Sequence, residues 1–221
     1  MTFQKYSIKT QIILGLIFTL CNILFSFSAQ ALQWPFFMDM IFVYAASFFG
    51  IPCGIIVGVC SSLFNAIVIQ HIFKHVLYAL CCITGTLLTW LFITRQQTFE
   101  NRIFFWIRLV LMFFISTVVI SLEGSLIYSL FFSGIAGQNE NSTVLFLTYT
   151  LVLQNFGLIL SAFLARLPVN LFDKALAIFG GYGIYAGVNA LINFCNVKKA
   201  LSKTALKSDS TKSDSTIAKK S

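Results

Sequence analysis

The chain has 221 residues, 58% of them hydrophobic and only 10% charged, with a mean hydropathy of +0.87 and a formal net charge of +8. Soluble domains carry about 25% charged residues, so composition excludes a soluble globular fold. Apolar runs of about 20 residues match the thickness of a hydrocarbon core and lack the period of two that a transmembrane barrel needs. The expected fold class is therefore an all-α polytopic membrane protein.

In chain order the apolar segments are 11–32, 36–51, 53–70, 76–94, 104–134, 144–165 and 171–195. The first follows Lys5 and Lys9. Its stretch 12–27, ahead of Ala29-Gln30-Ala31, has the outline of a signal peptide, but it runs past the usual length of an h-region and reads as an uncleaved first helix. Gly50-Ile51-Pro52-Cys53-Gly54 marks a turn between the second and third segments. Beyond it Gly54, Gly58, Ser62 and Ala66 form a small-residue stripe, and Gly183 and Gly187 form another on the last helix. Such stripes let membrane helices pack closely.

His71 and His75 have the i, i+4 spacing of a metal pair, but no third ligand and no HExxH glutamate accompany them, so no metal site is expected. The cysteines lie singly or as Cys81-Cys82 inside apolar segments, and buried cysteine behaves as a small hydrophobe. The tail from Asn196 carries seven lysines against Asp209 and Asp214, with KSDST twice in tandem. That composition predicts a disordered, Lys/Ser-rich cytoplasmic tail (196–221) after a transmembrane bundle (1–195). Without accompanying aromatics or a folded module the lysines point to anionic lipid and not to nucleic acid.

Three basic stretches, the N-terminus, Arg95–Arg108 and the tail, should all be cytoplasmic by the positive-inside rule. Both ends on one side require an even number of crossings. The expectation is a compact bundle of six transmembrane helices in the cell membrane with 144–165 as an extra apolar segment, re-entrant or packed outside. That segment holds Gln154-Asn155 and follows the polar loop GQNENST. The alternative is seven spans with the tail outside.

An ionisable group in a membrane costs about 2.5–3.5 kcal/mol at a helix centre on insertion scales, so each polar residue raises a question of function. Asp39 begins the second segment just after Trp34, Glu123 sits late in the fifth, and Asn170, Asp173 and Lys174 open the last. On the six-span arrangement these lie toward the outer side at one level. That is the layout of an outward-opening substrate pocket with aromatic walls, among them Trp34. The plain alternative for Asp39 and Asp173 is a helix end at the interface. Asn170 and Lys174 are four apart and share a helix face, which favours binding. No catalytic constellation, Walker loop or cofactor motif is present in the sequence, so no enzyme activity and no cofactor are expected.

Two stretches carry a resemblance. PFFMDMIFVYAASFFGIPCGIIVGVCSSLFNAI (35–67) resembles the second and third helices of the substrate-binding S components of energy-coupling factor (ECF) transporters. LPVNLFDKALAIFGGYGIY (167–185) resembles the start of their last helix, in which riboflavin-type members carry a Pro-x-Asn-Leu run followed by lysine. The resemblance implies six helices with both ends cytoplasmic and capture of a vitamin or similar micronutrient from outside. It implies a membrane coupling subunit and two cytoplasmic ATPases as partners, and Asn170 and Lys174 as ligand contacts. Here the lysine stands one residue later than in the riboflavin-type pattern. The first helix offers Gly15 and Thr19 where the family often shows Ala-x-x-x-Ala. The other reading is a membrane sensor or scaffold without transport activity.

Overall fold

The computed structural model describes residues 6–32, 39–69, 73–96, 101–131 and 142–217. The regular elements among them are all helical: α1 (Ile8–Ala31), α2 (Ile41–Ser47), α3 (Ile51–Phe64), α4 (Ala79–Thr89), α5 (Arg102–Phe131), α6 (Ser142–Leu153) and α7 (Leu158–Ile217). A π-helical turn, Asn65–Ile69, extends α3. A 3₁₀ segment, Phe73–Tyr78, leads into α4, and a second π-helical turn, Trp90–Thr94, ends it. Five helical stretches are long and apolar enough to cross a membrane: Ile8–Ala29, Ile51–Val68, His75–Thr94, Arg102–Phe131 and Leu158–Cys195. The architecture is that of a multi-pass membrane protein.

Six or seven spans were expected, and the described residues contain five of spanning length, for two local reasons. Among its described residues the second apolar segment folds as a helix of its own over Ile41–Ser47, about 10 Å, a third of the hydrocarbon thickness. Its uniform hydrophobicity reflects burial in protein: Val43, Tyr44, Ala45, Ala46 and Ser47 are all buried. The segment 144–165 is split. Asn155 turns left-handed at φ 65°, which asparagine tolerates better than most residues, and Gly157 follows. α6 therefore stops at Leu153, and Leu158 already belongs to α7. Pro168, which falls between the expected segments 144–165 and 171–195, lies inside α7. There α6 packs against it through Val144, Ala165 and Val169, so tertiary packing holds a helix that proline alone would weaken.

Cross-links fix the order of the helices in the unit comprising residues 1–184. Residues 39–49 run antiparallel to α1, from Asn22, which donates to the Asp39 carbonyl at 2.8 Å, to Tyr6, whose ring meets Phe49 at 5.1 Å. The chain then reverses at Gly50, whose φ of +149° is accessible only to glycine without strain, with Pro52 in the first turn of α3. α3 runs parallel to α1: the Gly15 position faces Cys53 and Ile56, and Asn65 bonds Ser26. α4 returns along α3, α5 along α4 and α7 along α5, as shown by Gly58 facing Cys82, Thr84 bonding Glu123, and Phe113 meeting Phe179. The short α2 with its flanks thus returns the chain without being a full helical span.

Small residues set how near these helices come. A Cβ on Gly58 would stand 2.6 Å from Cys82 Cβ, and one on Gly54 would stand 2.7 Å from Thr86 Cγ2. Ser62 lies beside Cys82, with Oγ and Sγ 3.8 Å apart. On α7 the close approach is made at Gly181, whose Cβ would stand 2.9 Å from Ala45 N and Ile41 O. Gly183 and Gly187, expected to be packing positions, have no neighbouring atom within 4 Å of a Cβ among the described residues. The stripe that packs is displaced toward the start of the helix because α2 lies there.

Tyr185–Ser221 forms a second unit. Its helix continues to Ile217, where composition predicts disorder. The stretch has neither glycine nor proline after Gly187, and alanine, leucine and lysine are strong helix formers.

Gly58→Leu should destabilise the protein by about 1–3 kcal/mol through overpacking against Cys82, whereas Gly187→Ala should leave stability unchanged. Thermal unfolding of both variants in detergent checks the contrast, and equal melting temperatures would contradict the close α3–α4 contact.

Candidate functional site

α5 is turned inside out. Its outer face carries Ile103, Ile107, Leu111, Phe114, Val118 and Leu122, all exposed as a lipid-facing surface requires. Its inner face carries Ser116, Thr117, Ser121 and Ser125, all buried. Thr117 and Ser125 bond carbonyls of their own helix, Phe113 O at 2.9 Å and Ser121 O at 2.6 Å. Ser121 Oγ instead accepts from Asn170 Nδ2 at 2.8 Å. This bond joins α5 to α7 at the residue where sequence reasoning placed ligand contact.

One turn further along α7, Asp173 and Lys174 are 1% and 2% exposed. The Lys174 ammonium donates to Asp173 Oδ2 at 2.7 Å. Adjacent helical residues point about 100° apart, so the lysine folds its stem across the helix surface to reach its neighbour. The expectation that Asp173 marks a helix end at the interface is corrected here: it is the buried counter-ion of Lys174. The lysine is thereby neutralised.

Asp39 completes the charged group. It is half-buried and interacts electrostatically with both Lys174 and Asp173. Asn22, fully buried on α1, holds the local backbone by donating to the Asp39 carbonyl at 2.8 Å and to Ser61 Oγ at 3.0 Å. Asp39 thus acts on the charged pair of α7 and is not only a helix end. Tyr44 on α2 interacts with the same pair of charges from α7. Its hydroxyl occupies space left by Gly85, where a Cβ would stand 3.2 Å away.

Glu123 lies along α5 from Ser121. One carboxylate oxygen accepts from Thr84 Oγ1 at 3.3 Å, and the Cys81 thiol is a second hydrogen-bond partner of the carboxylate. Cys81 and Cys82 both feel the charges of Glu123, Lys174 and Asp39. Arg166, one turn before Asn170, is also buried. Its guanidinium lies 4.9 Å over the Tyr128 ring and donates to the Ala162 carbonyl at 3.3 Å.

The structure therefore sets Asp39 with Asp173 and Lys174, while Asn170, one turn earlier on α7, is bonded to Ser121 of α5, and Glu123 lies further along α5. Trp34 and His71 lie outside the described residues. His75 stacks on Tyr78 at 5.8 Å, and the described residues contain no group of three or more metal-ligating side chains. Asn22, Tyr44, Ser116, Ser121 and Arg166 had not been singled out as site residues. The hydroxyl repeat Thr117, Ser121, Ser125 was the available signal, since a spacing of four puts them on one face.

Chemically the seam offers fixed charges, hydroxyls and an amide at one level of a low-dielectric bundle, where hydrogen bonds and ion pairs are stronger than in water. No family model, no curated protein and no solved structure matches this chain.

The Asp173–Lys174 pair yields a double-mutant test. Lys174→Met alone should cost about 3–5 kcal/mol by leaving the buried Asp173 carboxylate uncompensated, Asp173→Asn should cost less because Asp39 still faces the ammonium, and the double variant should cost much less than the sum. Unfolding of all four proteins in detergent measures the coupling. Additive losses would mean that the pair is not buried as described.

Proposed function

We propose that the chain is the membrane-embedded substrate-binding subunit of an ECF-type ATP-driven importer and captures a vitamin or similar micronutrient from outside. The observation that carries this reading is the burial of Asn170, Asp173 and Lys174 on α7 inside a bundle of apolar helices, with Asp39 acting electrostatically on the charged pair. Buried ionisable groups in membrane segments are costly and commonly serve substrate or ion pathways. The resemblance of 35–67 and 167–185 to S components supports the same assignment.

On this reading ATP hydrolysis belongs to two cytoplasmic partner ATPases, and a coupling subunit in the membrane transmits it. The antiparallel return of residues 39–49 along α1 favours six crossings of the bilayer in total. That places the N-terminus, Arg95–Arg108 and the tail in the cytoplasm of a multi-pass protein of the cell membrane. The polar seam then reaches from the outer half of the bundle, at Glu123 and Arg166, to the level of Lys174.

A second reading, a membrane sensor or scaffold, draws on the open sides of Gly183 and Gly187. Small residues without a packed neighbour offer a surface on which a partner helix can lie closely.

Mass spectrometry of small molecules released from detergent-purified protein separates the two. A stoichiometric micronutrient supports the importer subunit, and an empty protein that also fails to co-purify with a coupling subunit favours the scaffold. Asn170→Ala should weaken retention about tenfold, the worth of one buried hydrogen bond. Ser121 retains the option of bonding its own helix, so the fold should persist. Wild-type retention in this variant would remove Asn170 from the site. Reporter fusions at the N-terminus, at residue 97 and at the C-terminus should all read cytoplasmic, and a split result would overturn the six-crossing topology.

A further inference from the structure

Asp173 shows one way this chain keeps a carboxylate inside the bundle: an ammonium stands 2.7 Å from its oxygen. Glu123 is held differently. α5 ends at Phe131, so Glu123 lies about 12 Å inside that end. Its neighbours Val119, Leu122 and Leu126 are exposed as a lipid-facing surface requires. Glu123 itself is half-buried, with one carboxylate oxygen fully enclosed.

The partners of the carboxylate are two neutral donors. Thr84 Oγ1 stands 3.3 Å from one oxygen, and the Cys81 thiol is the second partner. An ionised carboxylate draws a hydroxyl to about 2.5–2.7 Å, and a thiol is a weak donor. Glu123 has no ion-pair partner among the described residues. The cation packed beside this stretch is Arg166, which meets the next residue: a Cβ on Gly124 would stand 3.6 Å from its Cδ and Nε. Its guanidinium is turned to the Tyr128 ring and the Ala162 carbonyl. Tyr78 faces the same glycine, and Cys82 lies within electrostatic reach of Glu123. Lys174 and Asp39 act on the same two thiols.

An ionised carboxylate so placed would be taken out of water with neither a counter-ion nor a short hydrogen bond, at a cost of several kcal/mol. A proton removes that charge. It also gives the carboxyl group an O–H, which the Thr84 hydroxyl can accept.

We propose that Glu123 is a proton-binding site and that the group resident in the bundle at neutral pH is the uncharged carboxylic acid. Hydronium from the aqueous phase gives its proton to one carboxylate oxygen and leaves as water, so no further reactant is needed. The ligand of Glu123 is then a proton and not the micronutrient. The inference needs only a helix in hydrocarbon and stands apart from the importer reading.

The test uses full-length protein in detergent and in lipid nanodiscs. Infrared spectra of wild type and Glu123→Gln are compared at neutral pH. The expected difference is loss of the carbonyl stretch of a protonated carboxyl group in the variant. Wild type is also treated with dicyclohexylcarbodiimide, which partitions into apolar regions and adds to carboxylic acids and not to carboxylates. Peptide mass spectrometry should place the adduct on Glu123, with labelling that falls as the pH is raised. Glutamine is the uncharged isostere of the acid, so the variant should fold and melt no lower than wild type. Loss of a carboxylate band in place of the acid band, or no adduct on Glu123 at neutral pH, overturns the proposal. Where the variant does not fold, the carbodiimide result on wild type decides alone.

Discussion

A lysine ammonium in the middle of a helical bundle has no water to solvate it, and much of this structure answers that constraint. Asp173 supplies the direct counter-charge at 2.7 Å, and Asp39 reaches the pair from the segment before α2. The inner face of α5 lines the same level with hydroxyls in place of the leucines and phenylalanines on its outer face. A bundle whose polar face points inward and whose apolar face points outward suits a solvent of hydrocarbon. The cost of that polarity is borne at one level of the molecule, while the packing around it is apolar and close.

That close packing depends on α2. A seven-residue helix is too short to be stable alone, and its residues are buried because glycines on three neighbours make room for it. Gly54 of α3 accommodates Ser47, Gly85 of α4 accommodates Met40 and Tyr44, and Gly181 of α7 accommodates the backbone at Ile41 and Ala45. Ser47 adds a bond to Thr86 Oγ1 at 3.0 Å. The Tyr44 hydroxyl is therefore placed by a backbone that three helices clamp, within electrostatic reach of the charged pair on α7.

Sequence made some of this legible. Apolar length and the absence of strand alternation determine a helical membrane protein, because the bilayer admits so few backbone solutions. Asn170 and Lys174 stand out because an amide and an ammonium are costly in an apolar helix. Hydropathy could not separate Ile41–Ser47 from a spanning helix, since burial in protein and burial in lipid select the same side chains. The break between α6 and α7 was obscured for a related reason. Proline at 168 is a stronger local signal than Asn155-Phe156-Gly157, yet packing of Val144 against Ala165 and Val169 overrides it. Pairings across the chain, such as Asn22 with the Asp39 carbonyl or Asn170 with Ser121, depend on register and leave no local trace.

The Asn22 bond also explains how Asp39 can take part in a site at all. A carboxylate just outside a helix would ordinarily turn toward water or headgroups. Here the preceding helix grips the backbone at that residue, and the same amide holds Ser61 of α3. Asp39 is thus tied to α1 and α3, while its electrostatic partners Asp173 and Lys174 belong to α7. Lys174, facing carboxylates from both sides, therefore joins the α1–α3 side of the bundle to α7 by charge as well as by packing, so the cohesion of these helices depends on the same group whose burial is most costly.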